Sequence, residues 1–273
     1  MIIDLDGTIY RGDQLINHAK YFIGMLHQMD IHYKFFTNCS KHVPEELALT
    51  LRKMGLEVQA SDIVTSGCIT RKYMESMAMN TRVYAIGSAS FQKYLRLDNI
   101  VELAEGTDIA ADYVVVGFCT DFTYEDLSRA LWHIQRGAKF IVTNMDETIP
   151  QGDNIVPHTG AIGAFLEYAS KQKPFNLGKP SRYAGDFFRG IFGSGQILVV
   201  GDRIDTDMLF AKNNGFCGCL VLTGITTLMG LDHVNHSDYH VFIDLREFCK
   251  FLGQHLANHK QIPCRERFPD NGY

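Results

Sequence analysis

Short apolar runs alternate along this chain with longer segments of helical period, and this alternation is the strongest constraint on its fold. Several runs, such as residues 113–117 and 197–201, are apolar throughout, which is typical of strands covered on both faces. Regular alternation of strand and helix indicates right-handed crossovers and an open parallel sheet. We therefore predict an α/β fold with a doubly wound, mainly parallel, Rossmann-like core sheet. The candidate strands are residues 1–4, 33–37, 82–86, 113–117, 139–142, 197–201, 219–222 and 240–243. The candidate helices are residues 15–29, 44–54, 66–79, 124–136, 161–171, 180–192 and 204–214.

Composition and charge exclude several classes of protein. The 273 residues are 46% hydrophobic, which is enough for one large domain or two modest ones. The 26 basic and 31 acidic residues give a net charge of −5, so the chain lacks the positive field that binds nucleic acid polymers. The apolar stretches are too short to span a membrane, and the first residues do not resemble a signal peptide. Seven cysteines without a C-x-x-C spacing favour a reducing compartment, and we predict a cytoplasmic protein.

The first predicted strand ends in the motif D-L-D-G-T, from Asp4 to Thr8. Side chains two apart in a strand share one side of the chain, and Gly7 allows a tight turn, so Asp4 and Asp6 lie together. Two neighbouring carboxylates can bind a hard cation such as Mg²⁺, or divide nucleophilic and acid–base work between them. Taken alone, the motif is equally well explained as a turn with solvated aspartates.

A second acidic motif, V-V-G-D-R-I-D-T-D, places Asp202, Asp205 and Asp207 after the strand at 197–201. Ligands of open α/β sheets bind beyond the carboxyl ends of the strands, which makes this junction a candidate cation site. The alternative is helix capping, since an acid at the start of the next helix stabilises its N-terminus. Three acids within six residues exceed what capping needs, and this favours the metal interpretation.

Two further motifs offer groups that bind anions. T-N-C-S supplies the Thr37 hydroxyl and the main-chain amides of Asn38 and Cys39, unless it is a simple turn. G-K-P places Lys179 before a predicted helix that starts at Pro180, where helix dipole and ammonium both favour an anion, unless Lys179 is a surface lysine. A cation would offset the repulsion among the clustered aspartates, and Lys179 with the Thr37 hydroxyl would bind a dianion. The charges therefore balance only if a metal ion and a phosphate both bind. The set therefore predicts a phosphate site.

The ordered series of motifs resembles the haloacid dehalogenase-like hydrolase superfamily, and its details resemble the NagD-like, p-nitrophenylphosphatase branch with a class II cap. The resemblance extends from Asp4 to about Asp244 and implies a Mg²⁺-dependent phosphatase that hydrolyses a small phosphorylated metabolite. It implies that Asp4 attacks phosphorus to form an aspartyl-phosphate, while Asp6 acts first as general acid and then as general base. Related P-type ATPases resemble the pattern D-K-T-G-T, in which threonine stands at the place of Asp6. A threonine cannot act as the acid, so the aspartate at position 6 favours a phosphatase or a mutase.

The resemblance also implies which groups hold the metal and the phosphate. Mg²⁺ would be bound by Asp4, by the main-chain carbonyl of Asp6 and by Asp202, with Asp207 as a nearby support. The phosphoryl group would be held by Thr37, Asn38 and Lys179.

The branch implies an α/β cap domain inserted between the Thr-Asn motif and the lysine. We expect the catalytic core at residues 1–80 and 174–260, the cap at 81–173 and a mobile tail at 261–273. Such a cap closes over the site and selects the leaving group. The cap residues that are candidates for contacting the leaving group, and are otherwise ordinary turn residues, are Asn144, Asp146 and His158.

Two other functions stay open at the level of sequence. A phosphotransferase or phosphomutase would use the same aspartyl-phosphate and pass the phosphoryl group to a second substrate instead of water. A non-catalytic regulatory protein on the same fold is the other, although such relatives typically lack the nucleophile or the acid, and both Asp4 and Asp6 are present. A homodimer is expected from the branch alone, because nothing in the sequence marks an interface.

Overall fold

The computed structural model describes residues 1–103, 108–151, 154–231, 238–256, 262 and 264. The strands are β1 (Ile2–Ile3), β2 (Tyr10–Arg11), β3 (Gln14–Leu15), β4 (Lys34–Thr37), β5 (Ile63–Thr65), β6 (Thr81–Ile86), β7 (Ile100–Glu102), β8 (Tyr113–Val116), β9 (Lys139–Val142), β10 (Thr148–Gln151), β11 (Asn154–Pro157), β12 (Phe175–Asn176), β13 (Leu198–Gly201), β14 (Cys217–Val221) and β15 (Tyr239–Phe242). The helices are α1 (Ala19–Gln28), α2 (Pro44–Lys53), α3 (Ser66–Glu75), α4 (Ala89–Tyr94), α5 (Tyr124–Gln135), α6 (Thr159–Ser170), α7 (Arg182–Phe192), α8 (Leu209–Asn214), α9 (Leu228–Leu231) and α10 (Leu245–Leu256). A π-helical turn, Ile204–Met208, leads into α8, and a 3₁₀ turn, Ala60–Asp62, precedes β5.

The chain divides into two compact units. The first consists of Met1–Thr37, Leu51–Val58 and Gly185–Tyr273, and the second of Asn38–Thr50 and Gln59–Ala184. These boundaries differ from the predicted core at 1–80 and 174–260 and cap at 81–173, and that division into core and cap stays a prediction. The tail predicted at 261–273 lies outside the described residues, apart from Ile262 and Cys264.

The first unit contains a parallel sheet whose strands run in the order β15, β14, β13, β1, β4. Phe35 and Phe36 are successive in β4, so their side chains leave opposite faces, and both are fully buried. On one face Phe36 packs against Phe188 of α7 and Phe210 of α8, with ring centroids 4.9 and 5.5 Å apart. Cover on both faces is the arrangement of a doubly wound sheet, and the predicted fold class is confirmed.

The second unit contains another parallel sheet, in the order β12, β9, β8, β6, β7. Its apolar face packs against α5 and α6, and β10 and β11 form an antiparallel hairpin. The core of this unit includes Val114, Val116, Phe140 and Val142 from the strands and Leu127, Ala130, Ile134, Ile162 and Leu166 from the helices.

The predicted elements are present, and the helix predicted at 66–79 ends at Glu75. The elements that were not predicted are α4, α9, α10, β2, β3, β5, β7, β10, β11 and β12. Each of the eight predicted strands is present, with ends that move by no more than two residues. The helix predicted at 15–29 begins only at Ala19, because Gln14–Leu15 pairs with Tyr10–Arg11 in a short hairpin. The stretch between Thr143 and Thr159, interpreted as turns, contains the hairpin of β10 and β11.

Within the described part of the chain, none of the helices combines the length and the apolar character that crossing a membrane requires. The cytoplasmic location and the homodimer stay predictions.

Candidate active site

The two acidic motifs meet because their strands are neighbours in the sheet of the first unit. β1 pairs in parallel with β13, with Ile3 opposite Val200, and the N–H of Asp4 donates to the Val200 carbonyl at 2.8 Å. β1 lies between β13 and β4, so the strand order reverses at this point. A crevice at such a switch point is the usual ligand site of an open α/β sheet. Asp4 and Asp202 directly follow the two strands that border it.

Three buried carboxylates form the centre of this site. Asp4, Asp202 and Asp207 each offer a carboxylate oxygen, and these oxygens lie within 4.8 Å of one another. The residues are 8%, 1% and 1% exposed, so water screens their mutual repulsion poorly. A donor set made only of carboxylate oxygens suits a hard divalent cation such as Mg²⁺ or Ca²⁺. The residues present therefore fit the cation that the resemblance implies.

Main-chain amides orient two of the three carboxylates. The N–H of Ile225 donates to Asp202 Oδ2 at 2.6 Å, and the N–H of Arg203 donates to Asp207 Oδ2 at 3.2 Å. Asp207, which was expected only as a nearby support, thus lies in the cluster together with Asp4 and Asp202.

Glycines pack directly against these carboxylates. A Cβ atom at Gly224 would lie 1.8 Å from Asp202 Oδ2, and one at Gly7 would lie 2.5 Å from the same oxygen. Gly201 approaches Asp207 in the same way, since a Cβ atom added at Gly201 would lie 2.2 Å from the Asp207 carboxyl carbon. Any larger residue at these positions would displace the carboxylates, so the glycines are part of the site.

Asp6 is exposed, and its side chain is not part of the carboxylate cluster. Neighbouring protein atoms remove part of the water around its carboxyl and raise its pKa above the ordinary value, while the positive charge of Arg11 opposes the rise. A raised pKa keeps the carboxyl protonated closer to neutral pH, as a general acid requires. The predicted metal contact of Asp6 involves its main-chain carbonyl and stays a prediction.

Asp205, the remaining acid of the second motif, is held by a different partner. The guanidinium of Arg203 donates to its two carboxylate oxygens at 3.0 and 2.6 Å, and the side chain is 67% exposed. Of the three acids of the second motif, Asp205 is thus the one that lies outside the carboxylate cluster.

The candidate phosphate-binding residues Asn38 and Lys179 are linked within the second unit. Asn38 Oδ1 accepts from the main-chain N–H of Lys179 at 2.8 Å, and Asn38 Nδ2 donates to the Lys179 carbonyl at 3.2 Å. The Asn38 side chain therefore positions the main chain of Lys179. Gly178 makes this close approach possible, because a Cβ there would lie 2.6 Å from Asn38 Oδ1.

The candidate specificity residues belong to the same hydrogen-bond network. Asp146 Oδ1 accepts from Asn38 Nδ2 at 2.9 Å, and Asn144 Nδ2 donates to the main-chain carbonyl of Asn38 at 2.8 Å. Asn144 Oδ1 lies 3.0 Å from His158 Nδ1, and the His158 ring stacks on Phe118. Asn144 and His158 are buried and Asp146 is half-buried, so these contacts connect them to the phosphate-binding candidates. Contact with a leaving group stays a prediction for all three.

Two interpretations of the anion-binding motifs need correction. Lys179 is only 3% exposed, so the alternative of a surface lysine is wrong. The helix predicted from Pro180 begins two residues later, at Arg182, and Ser181 Oγ accepts from the N–H of Ala184, so Lys179 precedes the helix by three residues instead of one. Thr37 ends β4 and is buried, as predicted for a residue at a strand end.

Comparison with known proteins decides the family. Residues 1–100 match the family model described as haloacid dehalogenase-like hydrolase, and residues 176–248 match a HAD-hydrolase-like model. The chain is 34% identical over 253 residues to an acid sugar phosphatase of Staphylococcus saprophyticus, covering 92% of this chain and 96% of the relative. The chain belongs to the haloacid dehalogenase-like hydrolases. Residues 101–175 lie outside both family models, and most of the cap predicted at 81–173 falls in this range.

Solved structures agree with membership in the NagD-like, p-nitrophenylphosphatase branch of these hydrolases. A 4-nitrophenylphosphatase of Thermotoga maritima is 33% identical with a TM-score of 0.84, and the match covers 91% of this chain and 95% of that one. A glycerol phosphate phosphatase of Mycobacterium tuberculosis, solved in complex with magnesium, is 27% identical with a TM-score of 0.81, covering 90% and 74%. The branch expected from the motifs is confirmed.

Proposed function

We propose that this haloacid dehalogenase-like hydrolase is a Mg²⁺-dependent phosphatase of a small phosphomonoester, with a sugar or polyol phosphate as substrate. The observation that carries the proposal is the buried cluster of Asp4, Asp202 and Asp207 at the switch point of the sheet. The relatives named acid sugar phosphatase and glycerol phosphate phosphatase support both the reaction and the class of substrate.

The cation would be held by Asp4, Asp202 and Asp207, together with the main-chain carbonyl of Asp6. When bound, Mg²⁺ offsets the repulsion among the carboxylates and withdraws charge from the phosphoryl oxygens. The relative solved with magnesium supports this choice of ion, although calcium also occurs in a structure of that protein.

The proposed reaction has two displacements at phosphorus. A carboxylate oxygen of Asp4, which the Thr8 hydroxyl approaches to 3.5 Å, attacks phosphorus while Asp6 gives its proton to the departing oxygen of the substrate. Asp6, now ionised, then accepts a proton from a water molecule that attacks the aspartyl-phosphate. The phosphorus–oxygen bond to Asp4 breaks, inorganic phosphate leaves, and Asp6 is protonated again. The raised pKa of Asp6 supports this role.

The phosphoryl group would be held by the Thr37 hydroxyl, the main-chain N–H of Asn38 and the ammonium of Lys179. Because the Asn38 side chain is engaged with Lys179 and Asp146, we assign it the task of positioning Lys179. The assignment of Asn144, Asp146 and His158 to substrate selection is part of the proposal.

The decisive test compares two isosteric changes of aspartate to asparagine. Asp4→Asn removes the nucleophile, and we expect the release of phosphate from p-nitrophenyl phosphate and from glycerol phosphate to fall by at least about a thousandfold. Asp205→Asn is the matched control, because this acid lies on the same loop as Asp202 but is exposed and paired with Arg203. The Asp205→Asn control should keep a turnover close to that of the wild type. EDTA should abolish the turnover of both the wild type and this control.

Further measurements on the same proteins check their folding and the destination of the phosphoryl group. Circular dichroism should show that Asp4→Asn remains folded, and full activity of this folded variant would refute the covalent route. Phosphate that appears on an added polyol acceptor, with little released to water, would instead identify a phosphotransferase. A folded wild-type chain that is inert on sugar phosphates, polyol phosphates and nucleotides would point to a regulatory protein.

A further inference from the structure

A group of sulfur side chains lies on the sheet of the first unit, apart from the acidic cluster. Cys217 and Cys219 are two residues apart in β14, so both side chains leave the same face of the sheet. Cys219 pairs with His240 on β15, which brings an imidazole beside the thiols. Cys217 and Cys219 are 2% and 0% exposed, and His240 is half-buried. The C-G-C motif thus has no part in the proposed hydrolysis.

A third thiol reaches this group from the C-terminal end of the described chain. The amide of Gln196 donates to the Ile262 carbonyl at 2.6 Å and accepts from the Ile262 N–H at 3.2 Å. Ile262 is 3% exposed, so the segment is anchored at this point. Gln196 Nε2 also lies 3.3 Å from the sulfur of Cys264, and the next residue, Ile197, accepts the N–H of Cys217 at its carbonyl at 2.9 Å. An exposed thiol is therefore held beside a buried one.

The two thiols of β14 differ in ionisation. The hydrogen bond with Cys219 is the largest cause that lowers the pKa of Cys217, to about 5, against burial, and hydrogen bonds with His240 and Cys264 lower it further. The pKa of Cys219 is raised by the same hydrogen bond and by burial. Since thiolates and not thiols attack sulfur, Cys217 is the nucleophile of the pair.

The arrangement does not favour a metal ion at these sulfurs. Over the residues that the structure describes, the three aspartates form the only group of three or more His, Cys, Asp or Glu ligand atoms within 4.8 Å of one another. Covalent chemistry between sulfurs suits this geometry better.

We propose that Cys217 and Cys264 form a reversible disulfide that ties the C-terminal segment to β14 under oxidising conditions. The oxidant is a peroxide: the exposed Cys264 thiol reduces it and becomes a sulfenic acid, with release of water. The Cys217 thiolate then attacks the Cys264 sulfur, the sulfur–sulfur bond forms and hydroxide leaves. Neither cysteine is in a disulfide in the structure, and a disulfide formed by way of a sulfenic acid is reversible by thiols. The proposal does not depend on the phosphatase function.

The test identifies the linked residues by mass spectrometry. The full-length chain is exposed to about one equivalent of hydrogen peroxide, alkylated with iodoacetamide and digested with trypsin without reduction. Trypsin releases Cys264 in the peptide 261–265 and both thiols of β14 in the peptide 213–246. We expect these two peptides to be joined, and to separate on addition of dithiothreitol.

Variants assign the bond to one sulfur of β14. The linked pair should disappear in Cys217→Ser and Cys264→Ser and persist in Cys219→Ser. The matched control, Cys68→Ser, changes a half-buried thiol in the second unit and should leave the link intact. Loss of the link in Cys219→Ser with retention in Cys217→Ser would overturn the assignment. Oxidation of Cys264 in the folded wild-type chain that stops at the sulfenic acid, or links it to another cysteine, would overturn it as well.

Discussion

At the scale of single residues, Gly224 is the glycine of the acidic site where an added side chain would come nearest to a carboxylate, that of Asp202. We expect Gly224→Ala to lower phosphatase turnover by at least tenfold, because the new Cβ would stand 1.8 Å from a carboxylate oxygen and push it away. Gly230→Ala is the matched control, since among the described residues its Cβ would meet only the Thr227 hydroxyl, at 3.9 Å. Steady-state kinetics and a circular dichroism spectrum of each variant provide the measurement. Equal activity of the two variants would contradict the claim that Asp202 is held in place by glycine.

This contact also shows what the sequence could not predict about the site. That Asp4 and Asp202 come together was predictable, because acids at strand ends carry a recognisable chemistry, whereas the role of Asp6 stays a prediction. Gly224 and the N–H of Ile225 reach Asp202 only through tertiary folding, and an isolated glycine in a loop carries no sign of its neighbour. Asp207 had a signal in its spacing, but its place in the cluster follows from the π-helical turn at Ile204–Met208, which periodicity does not predict.

The buried His133 of the second unit makes stability depend on pH. Its Nδ1 accepts from the N–H of Ala111 at 3.1 Å, so the ring is neutral, and burial and then the charges of Arg129 and Arg136 lower its pKa. The Tyr84 ring packs against it. Below the ordinary pKa of about 6.5 the unfolded chain takes up a proton that the folded chain does not. Stability is therefore full above that pH and falls as the pH drops towards the lowered value.

A pair of histidine variants tests this dependence. Urea unfolding of the wild-type chain should show a loss of stability between pH 7 and pH 5.5 that is smaller in His133→Gln, whatever the stability of that variant at pH 7. The exposed His18, replaced by Asn, should leave the loss unchanged. An equal pH effect in His133→Gln and the wild type would rule out His133 as the titrating group.

At the scale of elements, helix α5 begins with a capping box. The N–H of Asp126 donates to Thr123 Oγ1 at 3.1 Å, and the N–H of Thr123 donates to Asp126 Oδ2 at 2.7 Å. Thr123→Ala removes one half of this exchange and should lower the free energy of unfolding by about 1 kcal/mol. Thr123→Ser keeps the hydroxyl and should stay close to the wild type. The measurement is the denaturant midpoint of the wild type and of the two variants. A midpoint of Thr123→Ala equal to that of Thr123→Ser would argue against the cap.

Caps also explain which elements could be predicted from the sequence. Helix α5 was predictable because its apolar period coincides with a capping signal at Thr123. Helix α10 carries the same kind of signal, with Asp244 Oδ1 accepting from the N–H of Glu247 and Glu247 Oε2 accepting from the N–H of Ile243, and it was nevertheless missed. The hairpin of β10 and β11 was also missed, although the two residues between its strands, Gly152 and Asp153, are a pair typical of hairpin turns.

At the scale of the whole molecule, the clustered acids couple metal binding to thermal stability. A cation that binds only the folded chain stabilises it by about 2.7 kcal/mol at a hundredfold excess over Kd, so Mg²⁺ should raise the Tm by several degrees. Asp207→Asn should lose this rise and, without Mg²⁺, should melt above the wild type, because one of three repelling charges is gone. Asp186→Asn, at an exposed pair with Arg189, is the control and should retain the rise. A full Mg²⁺ response in Asp207→Asn would restrict this residue to a supporting role.

The position of β1 in its sheet has a consequence for synthesis on the ribosome. β1 is made before the other strands of its sheet. Its neighbour β4 follows after some thirty residues, but its other neighbour, β13, comes only at Leu198–Gly201. At about 5–20 residues per second, that second edge stays open on the order of ten to thirty seconds. A nascent chain therefore exposes an apolar strand edge for most of its translation, and ribosome-bound chaperones would be expected to contact it until β13 emerges.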